Sequence, residues 1–495
     1  MSQLRSLAVL PVAAVLLTPS LASAATLQVG PDKTYQTVNA AIAAAQPGDV
    51  IEIDEGMYVN DISTINTNDL TIRGMGAGAH LHATQLLPNK KGIFAINVGV
   101  GPITVENIEF SGAAISPNDG DNGAGIRAQG TELTVRGCHF HDNQNGILSG
   151  GSPNALMTIE HSEFGYNGNP GSGQEHNVYI SGDTAMLVFA YNYSHHSFSG
   201  HTLKTRAKEN HVLYNRIMDE GDGSSSYIID VPQGGPTYII GNLLHQGPNA
   251  ENKGTVISYK REGQTNDDLR LYLAHNTLVN ESGNQNTAFV RVGVADMVVM
   301  QNNLMIGPGN PIMFDNAPAP VTDEGNLQTD MPMLVDLAGY NYELLEGSPA
   351  IDVGVRVLAE LLPESHYVHV AGNEDRPVVG APDIGAYEFG EAPGDGDGDG
   401  DPTGDGDGDS GDGDSGDGES GDGDGDPAGD GDGDPTGGDE AGDSESGAGE
   451  SGTGGEAGVD TTEGCSCSAP DRGADLGFGA LALLALLGVR PRRRD

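Results

Sequence analysis

Tryptophan is absent from this sequence, cysteine occurs three times, and 23 basic residues stand against 71 acidic ones. So few cysteines exclude a fold held together by a disulfide framework. The net charge of −48 argues against nucleic acid as a partner, because the chain and a phosphate backbone would repel each other. Without tryptophan, the 15 tyrosines are the side chains that could stack on sugar rings.

The first 24 residues have the features of a secretory signal peptide. One early base, Arg5, precedes an apolar run from Leu7 to Leu17, and Ala22-Ser23-Ala24 supplies the small residues of a cleavage site. The apolar run is too short to span a bilayer comfortably. The sequence therefore predicts export, with cleavage after Ala24.

The opposite end of the chain has a second processing signal. Cys465 and Cys467 precede an apolar stretch from Leu476 to Val489, and arginines follow it. This layout over residues 464–495 resembles a myxobacterial C-terminal sorting tag. The resemblance implies recognition by export and sorting machinery, removal of the tail, and attachment at the cell surface or outer membrane, with the membrane reached only through this tag.

Residues 391–463 form an acidic linker of Gly-Asp repeats. Between Glu391 and Asp460 there are 25 acidic residues and no basic ones. A segment with so little to bury and so much like charge is predicted to be extended and disordered. Its alternating carboxylates make Ca²⁺ the one cofactor that the sequence suggests, although the Glu that closes an EF-hand loop is missing and we favour a plain spacer.

The region from residue 25 to residue 390 is repetitive. Short segments rich in Val, Ile, Thr and Tyr end in similar tetrapeptides, at Asn107–Phe110, Gly137–Phe140, His161–Phe164, Tyr191–Ser194, Tyr214–Ile217, Gly241–Leu244, His275–Leu278 and Asn302–Met305. They recur every 23 to 34 residues, a spacing typical of a solenoid. The segments are too short for helices, so they predict strands stacked into long parallel sheets around a dry core.

The second position of the tetrapeptide is Asn in five successive repeats, beginning at Asn192. Asn tolerates left-handed backbone angles, so we expect it to form the sharp bend of each coil. Its side-chain amides, stacked in register, are also expected to form a hydrogen-bonded ladder along the solenoid.

Helical periodicity over Tyr35–Ala45, stopped by Gln46–Asp49, predicts a capping helix ahead of the first coil. Gly347–Asp352 and Pro382–Glu388 resemble the closing segment of bacterial surface β-helices. With the repeats, these features resemble right-handed parallel β-helix proteins of the pectin-lyase-like superfamily. The resemblance implies an all-β fold: a single-stranded right-handed parallel β-helix, or solenoid, with a short N-terminal capping helix.

Basic residues are concentrated in one part of this acidic body. Nine of its 17 lie between Lys204 and Arg291, and Lys204 and Arg206 share one face of a predicted strand. Lys208, Lys260, Arg261 and Arg291 are expected to line the same groove or its approaches. A positive stripe in a long groove suits a polyanion such as a uronate-containing polysaccharide, and ordinary surface charge is the alternative.

Histidines are concentrated in the same part of the sequence. The ladder alignment places His176 one coil below His201, and Tyr179 one coil below Lys204. His195 and His196 precede His201, and Asn177 follows His176. Structural stacking, acid–base chemistry and metal binding all remain open for these imidazoles, and no residue is assigned as a metal ligand.

The stretch from Gly200 to Asn215 resembles the catalytic coil of β-helix polysaccharide lyases of the chondroitinase B and alginate lyase type. In those enzymes a strand lysine followed by Asn-x-x-x-x-Asn supplies the base. Lys204 matches the lysine, and Asn210 and Asn215 match the asparagines. The Arg-His-Gly of the family's next coil is missing here, where Asp230 lies in the corresponding stretch, so the proton donor is not identified by the resemblance.

The implied chemistry is β-elimination from a uronate. Lys204 would remove the C5 proton if burial and Arg206 lower its pKa, Arg206 would pair with the carboxylate, and His201 or Tyr179 would protonate the leaving oxygen. His176, Asn177, His195, His196, Lys208, Asn210, Asp230, Lys260, Arg261 and Arg291 are the expected substrate-binding residues. C5 epimerisation would begin with the same step.

Other functions stay open at the level of sequence. A glycoside hydrolase needs two carboxylates, for which Asp219, Glu220, Asp222 and Asp230 are candidates, but polygalacturonase motifs are missing. The pectin methylesterase motifs are missing too. A non-catalytic polysaccharide-binding surface protein or adhesin is the main rival to an enzyme.

Overall fold

Three long parallel sheets wind along the chain in the computed structural model, which describes residues 24–390. Sheet 1 has 12 strands, sheet 2 has 11 and sheet 3 has 10. Each coil contributes one strand to each sheet in turn, so neighbouring strands within a sheet come from successive coils and pair in parallel. The predicted parallel β-helix with a short N-terminal helix is thereby confirmed.

The strands follow one another with short connections. The first eighteen are β1 Thr26–Val29, β2 Val50–Ile53, β3 Gly56–Val59, β4 Ser63–Ile65, β5 Leu70–Gly74, β6 Ala79–His82, β7 Gly92–Ile96, β8 Ile103–Glu106, β9 Ile108–Ser111, β10 Ala124–Ala128, β11 Glu132–Arg136, β12 His139–His141, β13 Asn145–Ser149, β14 Ala155–Glu160, β15 Glu163–Gly165, β16 Val178–Ile180, β17 Thr184–Ala190 and β18 Tyr193–His195. The others are β19 His201–Thr205, β20 Glu209–Leu213, β21 Arg216–Met218, β22 Tyr227–Val231, β23 Thr237–Ile240, β24 Leu243–Gln246, β25 Thr255–Tyr259, β26 Arg270–Ala274, β27 Thr277–Asn280, β28 Ala288–Val292, β29 Met297–Gln301, β30 Leu304–Ile306, β31 Asn310–Phe314, β32 Val321–Glu324, β33 Leu327–Thr329, β34 Leu334–Asp336, β35 Asn341–Leu344, β36 Ser365–Val368 and β37 Gly372–Asp375.

Sheet 1 comprises β1, β2, β5, β8, β11, β14, β17, β20, β23, β26, β29 and β32. Sheet 2 comprises β3, β6, β9, β12, β15, β18, β21, β24, β27, β30 and β33, and sheet 3 comprises β4, β7, β10, β13, β16, β19, β22, β25, β28 and β31. The tetrapeptides of the sequence repeat begin in the bend before sheet 2 and end within it. Two antiparallel hairpins, β34–β35 and β36–β37, follow the last coil.

Alternate side chains of each strand point into the solenoid and form its core. The fourth residues of three tetrapeptides, Phe110, Phe140 and Phe164, are fully buried and stack with ring centroids 4.9 and 4.8 Å apart. Parallel strands about 4.8 Å apart bring equivalent side chains into this contact at every coil. Cys138 is buried in the same core, and burial raises the pKa of its thiol to about 12, so this thiol is not a reactive nucleophile.

The predicted amide ladder is confirmed. The side-chain Nδ2 groups of Asn192, Asn215, Asn242 and Asn276 each donate to the Oδ1 of the next ladder Asn, over 2.9 to 3.1 Å, and the ladder continues through Asn303 to Asn326. Each Oδ1 also accepts a hydrogen bond from the backbone N–H of the preceding ladder residue. The amides therefore satisfy buried polar groups at every bend.

The expectation that this Asn takes the left-handed conformation is wrong. The residue before it does so in every repeat, with φ of 60° at Tyr191, 54° at Tyr214, 66° at Gly241 and 52° at His275. Left-handed geometry at that residue turns the chain so that the following Asn side chain enters the coil, where it is needed for the ladder. Two of these residues also stack on each other, since the ring centroids of Tyr191 and Tyr214 are 5.6 Å apart.

The N-terminal cap is a helix, α1, over Val38–Ala44, shorter than the predicted range. Thr37 caps it by accepting a hydrogen bond from the backbone N–H of Ala40, and the Asp61 carboxylate accepts from two further N–H groups of its first turn. Val38, Ala41 and Ile42 are buried against the first coils, so the helix covers the open end of the core.

The C-terminal part of the described chain folds back along the outer side of sheet 2. Tyr342, Tyr367 and Ile384 pack with Tyr193 and Leu243, which project outward from that sheet. A buried ion pair between Arg376 and Glu388, 2.9 Å apart, holds this segment together. The coils of sheet 2 before β18 are left outside this cluster.

The predicted signal peptide lies outside the described residues apart from Ala24, and so do the acidic linker and the sorting tag with Cys465 and Cys467. Among residues 24–390 no helix has the length and apolar character needed to cross a membrane.

Candidate functional site

The candidate catalytic residues meet on the outer side of sheet 3. Tyr179 pairs in register with Lys204, and Lys204 pairs with Asp230, on three successive coils. His201, Lys204 and Arg206 project outward from β19 and its end, while Leu203 and Thr205 are fully buried in the core. We call the surface formed by Tyr179, Lys204, Arg206, Asp230 and Glu262 the Lys204 face.

Two cations of this face converge on one carboxylate. Arg206 Nη1 lies 2.5 Å from Glu262 Oε2, and Lys204 Nζ lies 3.4 Å from Glu262 Oε1. Glu262 stands on the turn after β25 and is 43% exposed, whereas Lys204 and Arg206 are 14% and 17% exposed. The arrangement shows that Lys204 and Arg206 are spaced to hold a carboxylate between them.

Asp230 is the buried counter-charge of the face. Its Oδ2 lies 3.3 Å from Lys204 Nζ and 3.2 Å from His201 Nε2, and its side chain is 4% exposed. Burial alone would raise the pKa of this carboxyl, but the hydrogen bond with His201 and the charge of Lys204 more than offset it and lower the pKa. Asp230 is therefore an anion that positions two candidate catalytic groups.

The predicted stacking of His176 below His201 is confirmed, with ring centroids 4.8 Å apart. Nδ1 of His176 accepts a hydrogen bond from the backbone N–H of His201 over 3.0 Å. Complete burial, with the nearby charges of His201, Lys204 and Arg206, moves the pKa of His176 well below its ordinary value. His176 is thus a neutral acceptor that fixes the backbone of β19 rather than a proton donor.

Tyr179 and Arg206 form a second pair beside the lysine. The Nε of Arg206 donates to the phenol oxygen of Tyr179 over 2.9 Å, and the guanidinium carbon lies 5.8 Å from the ring centroid. Burial would lower the pKa of Arg206, but its bonds to Glu262 and Tyr179 raise it. Arg206 is consequently a fixed positive charge with one side turned to the tyrosine and the other to the carboxylate.

The remaining basic residues that were expected to bind substrate lie in different surroundings. Arg261 and Arg291 both bind Asp315, at 2.6 and 2.7 Å, farther along sheet 3, so the positive stripe continues but is partly neutralised. Lys260 is buried and turns its Nζ to the backbone oxygen of Glu262. Lys208 contacts Asn154 at an exposed turn.

Asn177 and Asn210 lie inside the coil and are fully buried. Asn177 donates to the backbone oxygen of His195, and Asn210 accepts from the Thr205 hydroxyl over 2.6 Å. Their amides stabilise the bends around β16 and β19, and a polymer on the Lys204 face has no direct access to them. Their expected contact with substrate is therefore replaced by a structural role.

His195 and His196 lie at sheet 2, not beside Lys204. Their Nδ1 atoms are 2.6 Å apart, and their Nε2 atoms face Glu163 at 3.2 Å and Asp222 at 2.8 Å. The sequence cluster of histidines is thus split, because a bend after His195 sends the chain from one sheet to the next.

Of the acids considered for hydrolysis, Asp219 and Glu220 have structural partners. Asp219 is fully buried and accepts from the backbone N–H groups of Ser225 and Gly247, and Glu220 binds Arg216. Asp230 lies on a different sheet. Glu220 and Asp222 both lie beside His196 Nε2 at sheet 2, at 4.0 and 2.8 Å, and not at the Lys204 face.

Glu262 and Tyr227 are the members of the site that sequence reasoning missed. Tyr227 pairs in register with His201, and its hydroxyl oxygen accepts a hydrogen bond from Arg261 Nη1 over 3.1 Å. The register rule that placed Tyr179 below Lys204 would also have placed Tyr227 above His201. Glu262 had no such signal, because it reaches the face from a turn two coils later.

No protein-family model and no curated protein sequence matches the chain. Solved structures with a similar chain path include pectate lyase Pel9A, at 13% identity and a TM-score of 0.49 over 74% of this chain and 97% of that one. Others are an alginate lyase from Paenibacillus sp. str. FPU-7, at 14% identity and a TM-score of 0.33 over 61% of this chain and 99% of that one, and the pectin methylesterase from Aspergillus niger, at 14% and 0.26 over 65% and 90%. At this level of similarity none of them assigns a residue of the site.

Proposed function

We propose that the protein binds an acidic, uronate-containing extracellular polysaccharide on the Lys204 face and cleaves it by β-elimination. The observation that carries the proposal is the convergence of Lys204 and Arg206 on the Glu262 carboxylate. A uronate carboxylate in the same place would meet the same planar guanidinium and the same ammonium. A solenoid adds room for a polymer, since equivalent positions repeat along sheet 3.

In this proposal Glu262 occupies the position of the substrate carboxylate until substrate arrives. It stands on an exposed turn, and the other acid of the face, Asp230, is buried and fixed. A substrate carboxylate that displaces Glu262 would take its place beside Arg206 and Lys204. This would bring the C5 hydrogen of the same sugar next to the Lys204 amine, which is the geometry that proton removal requires.

The elimination step then runs as follows. The neutral Lys204 amine takes the C5 proton, the electron pair of that C–H bond forms the C4–C5 double bond, and the bond from C4 to the leaving oxygen breaks. Arg206 stabilises the charge that develops on the carboxylate, and His201 or Tyr179 delivers a proton to the leaving oxygen. C5 epimerisation would share the first step and return the proton without an unsaturated product.

A binding module without catalysis is the second candidate. It is favoured by one observation, that Lys204 Nζ lies within 3.4 Å of both carboxylates of the site and so belongs to an ion-pair network. On that account Lys204 and Arg206 hold an anionic glycan and no bond is broken.

Binding can be tested with pectate, alginate and glycosaminoglycan titrated into the full chain. Glu262→Gln removes the internal competitor and should tighten binding several-fold, Arg206→Gln should weaken it about tenfold or more, and added salt should weaken wild-type binding. Arg270→Gln is the matched control, because Arg270 lies on sheet 1, exposed and paired with Asp268. Weaker binding by Glu262→Gln, or no difference between the two arginine variants, would contradict the proposed site.

We also propose that the protein is exported and attached to the cell surface. The features that support this are the cleavage motif ending at Ala24, and Cys465 and Cys467 ahead of the apolar stretch and arginine cluster. Mass spectrometry of surface-extracted protein should recover peptides of the body and none beyond the cysteine region. Recovery of an intact C-terminal arginine cluster would overturn the attachment.

A further inference from the structure

A second cluster of chemically capable side chains lies on the outer side of sheet 2, away from the Lys204 face. Register pairing stacks His80, Glu109, His139 and Glu163 in one column on successive coils. The neighbouring column contains His82, Ser111 and His141 on the first three of those coils. The C-terminal segment packs against this sheet from β18 onward and reaches back to His161, whose Nδ1 lies 3.0 Å from the backbone oxygen of Ala371. The side chains of His80, Glu109 and His141, on earlier coils, remain partly exposed.

Three of these residues bring potential ligand atoms together. One nitrogen or oxygen atom of each of His80, Glu109 and His141 lies within 4.8 Å of the other two. Glu109 Oε1 is 2.8 Å from His141 Nε2 and 3.4 Å from His80 Nε2. Ligand atoms around a tetrahedral zinc ion are about 3.3 Å apart, since each is about 2.0–2.1 Å from the metal. Small side-chain rotations would therefore complete the geometry.

A separate observation concerns the far side of the His141 ring. Its Nδ1 lies 2.7 Å from a carboxylate oxygen of Asp142. Metal-binding histidines commonly donate this second N–H to a carboxylate, which fixes the tautomer and orients the lone pair of Nε2 toward the ion. In this tautomer Nε2 of His141 points its lone pair at the position shared with Glu109 and His80.

The hydrogen bonds around His80 also allow it to act as a metal ligand. Ser111 Oγ lies 2.6 Å from His80 Nε2 and 2.7 Å from His82 Nδ1. If His80 turns its Nε2 to an ion, Ser111 keeps its hydrogen bond with His82. The side chains are accessible, at 20% exposure for His80, 21% for His141 and 37% for Glu109, so an ion and a water ligand can reach them.

We propose that His80, Glu109 and His141 form a binding site for a divalent transition-metal ion, with Zn²⁺ as the best fit. Two imidazoles and one carboxylate are a ligand set that zinc accepts, and it leaves a fourth position for water. Because the ligands come from β6, β9 and β12, the ion would tie three successive coils together. The inference is independent of the function proposed for the Lys204 face.

The test is a Zn²⁺ titration of the full chain by calorimetry, with accessible thiols alkylated so that Cys465 and Cys467 do not compete. Wild type should show one more site per chain than Glu109→Gln or His141→Gln, or a site at least tenfold tighter. Asp142→Asn should lose about 10-fold to 100-fold in affinity, because it removes only the orienting carboxylate. Cobalt(II) should give an intense visible spectrum with wild type and not with Glu109→Gln.

The control is His211→Gln. His211 pairs with Glu209 on sheet 1, 2.8 Å apart, and residues 24–390 contribute no third potential ligand to this pair. Its removal should leave zinc binding unchanged, and circular dichroism in EDTA should show that every variant is folded. Equal zinc binding by wild type, Glu109→Gln and His141→Gln, or loss of the site in His211→Gln, would overturn the proposal.

Discussion

His201 Nε2 lies 3.2 Å from Asp230 Oδ2, and the same oxygen lies 3.3 Å from Lys204 Nζ. One buried carboxylate thus positions both a candidate proton donor and a candidate base. The contact arises because β19 and β22 are neighbours in sheet 3, with Lys204 directly opposite Asp230. The solenoid converts a separation of one coil in sequence into a side-chain contact.

Replacing Asp230 with Ala should lower the free energy of unfolding by about 3 kcal/mol, because it leaves two nearly buried groups without their shared partner. Asp268→Ala is the matched control, since Asp268 pairs with Arg270 at the surface and should contribute under about 1 kcal/mol. Urea denaturation of both variants makes the comparison. Equal effects would show that the Asp230 contacts contribute no more than a surface ion pair.

The lowered pKa of Asp230 gives this contribution a pH dependence. A carboxyl with a folded-state pKa below its unfolded value of about 3.9 stabilises the fold fully above that pH. The contribution is lost as the pH falls through the folded value. The difference in stability between wild type and Asp230→Ala should therefore be larger at about pH 5 than below about pH 4.

Asn242→Ala should be one of the most destabilising single changes in the body. It would leave the backbone N–H of Asn215 without its partner and would remove the bonds that Asn242 makes with the side-chain amide of Asn215 and the backbone oxygen of Val212. An unsatisfied buried group costs about 1–3 kcal/mol and a lost hydrogen bond about 1 kcal/mol, so the expected loss is about 3 kcal/mol. Asn249→Ala is the control, because Asn249 is exposed and its replacement should lower stability by under about 1 kcal/mol. A similar midpoint of urea denaturation for both variants would contradict the stabilising role of the ladder.

Gly137 tests the corrected position of the left-handed bend. Its φ is 57°, and nothing lies within 4 Å of the place where a Cβ would stand, so backbone conformation alone decides the outcome. Gly137→Val should lower stability by about 1–2 kcal/mol, whereas Gly137→Asn should cost much less because Asn accepts this region. Thermal unfolding of the two variants measures the loss of stability in each. Equal losses in Gly137→Val and Gly137→Asn would exclude left-handed strain as the cause.

The stability of the body should also fall between about pH 6.5 and pH 3 through His275. Burial, with the charge of Arg376, lowers the pKa of this imidazole to about 3. The unfolded chain binds a proton below about pH 6.5 and the folded chain does not, so acid favours unfolding in this window. His275→Asn, which suits the φ of 52°, should reduce the slope of stability against pH. An unchanged slope in His275→Asn would refute the assignment.

The repeat pattern was sufficient to predict the fold because each coil of a solenoid contacts only the neighbouring coils. Each tetrapeptide of the sequence, such as Tyr214–Ile217, specifies its own bend and its own contact with the next coil. For the same reason the alignment of the repeats placed His176 under His201 and Tyr179 under Lys204. It could not show which residue of the bend carries the left-handed angle, since Asn, Gly, Tyr and His all occur beside one another there.

The rest of the site depended on connections whose length varies from coil to coil. Glu262 reaches Lys204 from a turn, and no periodicity places a turn residue. His195 and His201 are close in sequence, yet the chain changes sheets between them. The column that contains His80 and Glu109 was overlooked because each coil supplies only one ligand and the spacing differs between coils.

Absorbance of the unsaturated uronate product, followed while the full chain is incubated with pectate, alginate and glycosaminoglycans, tests the proposed elimination most directly. We expect absorbance to rise on at least one polymer and this rise to be lost in Lys204→Ala with the fold intact. Lys253→Ala, which changes an exposed lysine outside the face, should behave like wild type. Binding of an acidic polymer without any rise in absorbance, or a rise that survives in Lys204→Ala, would contradict it.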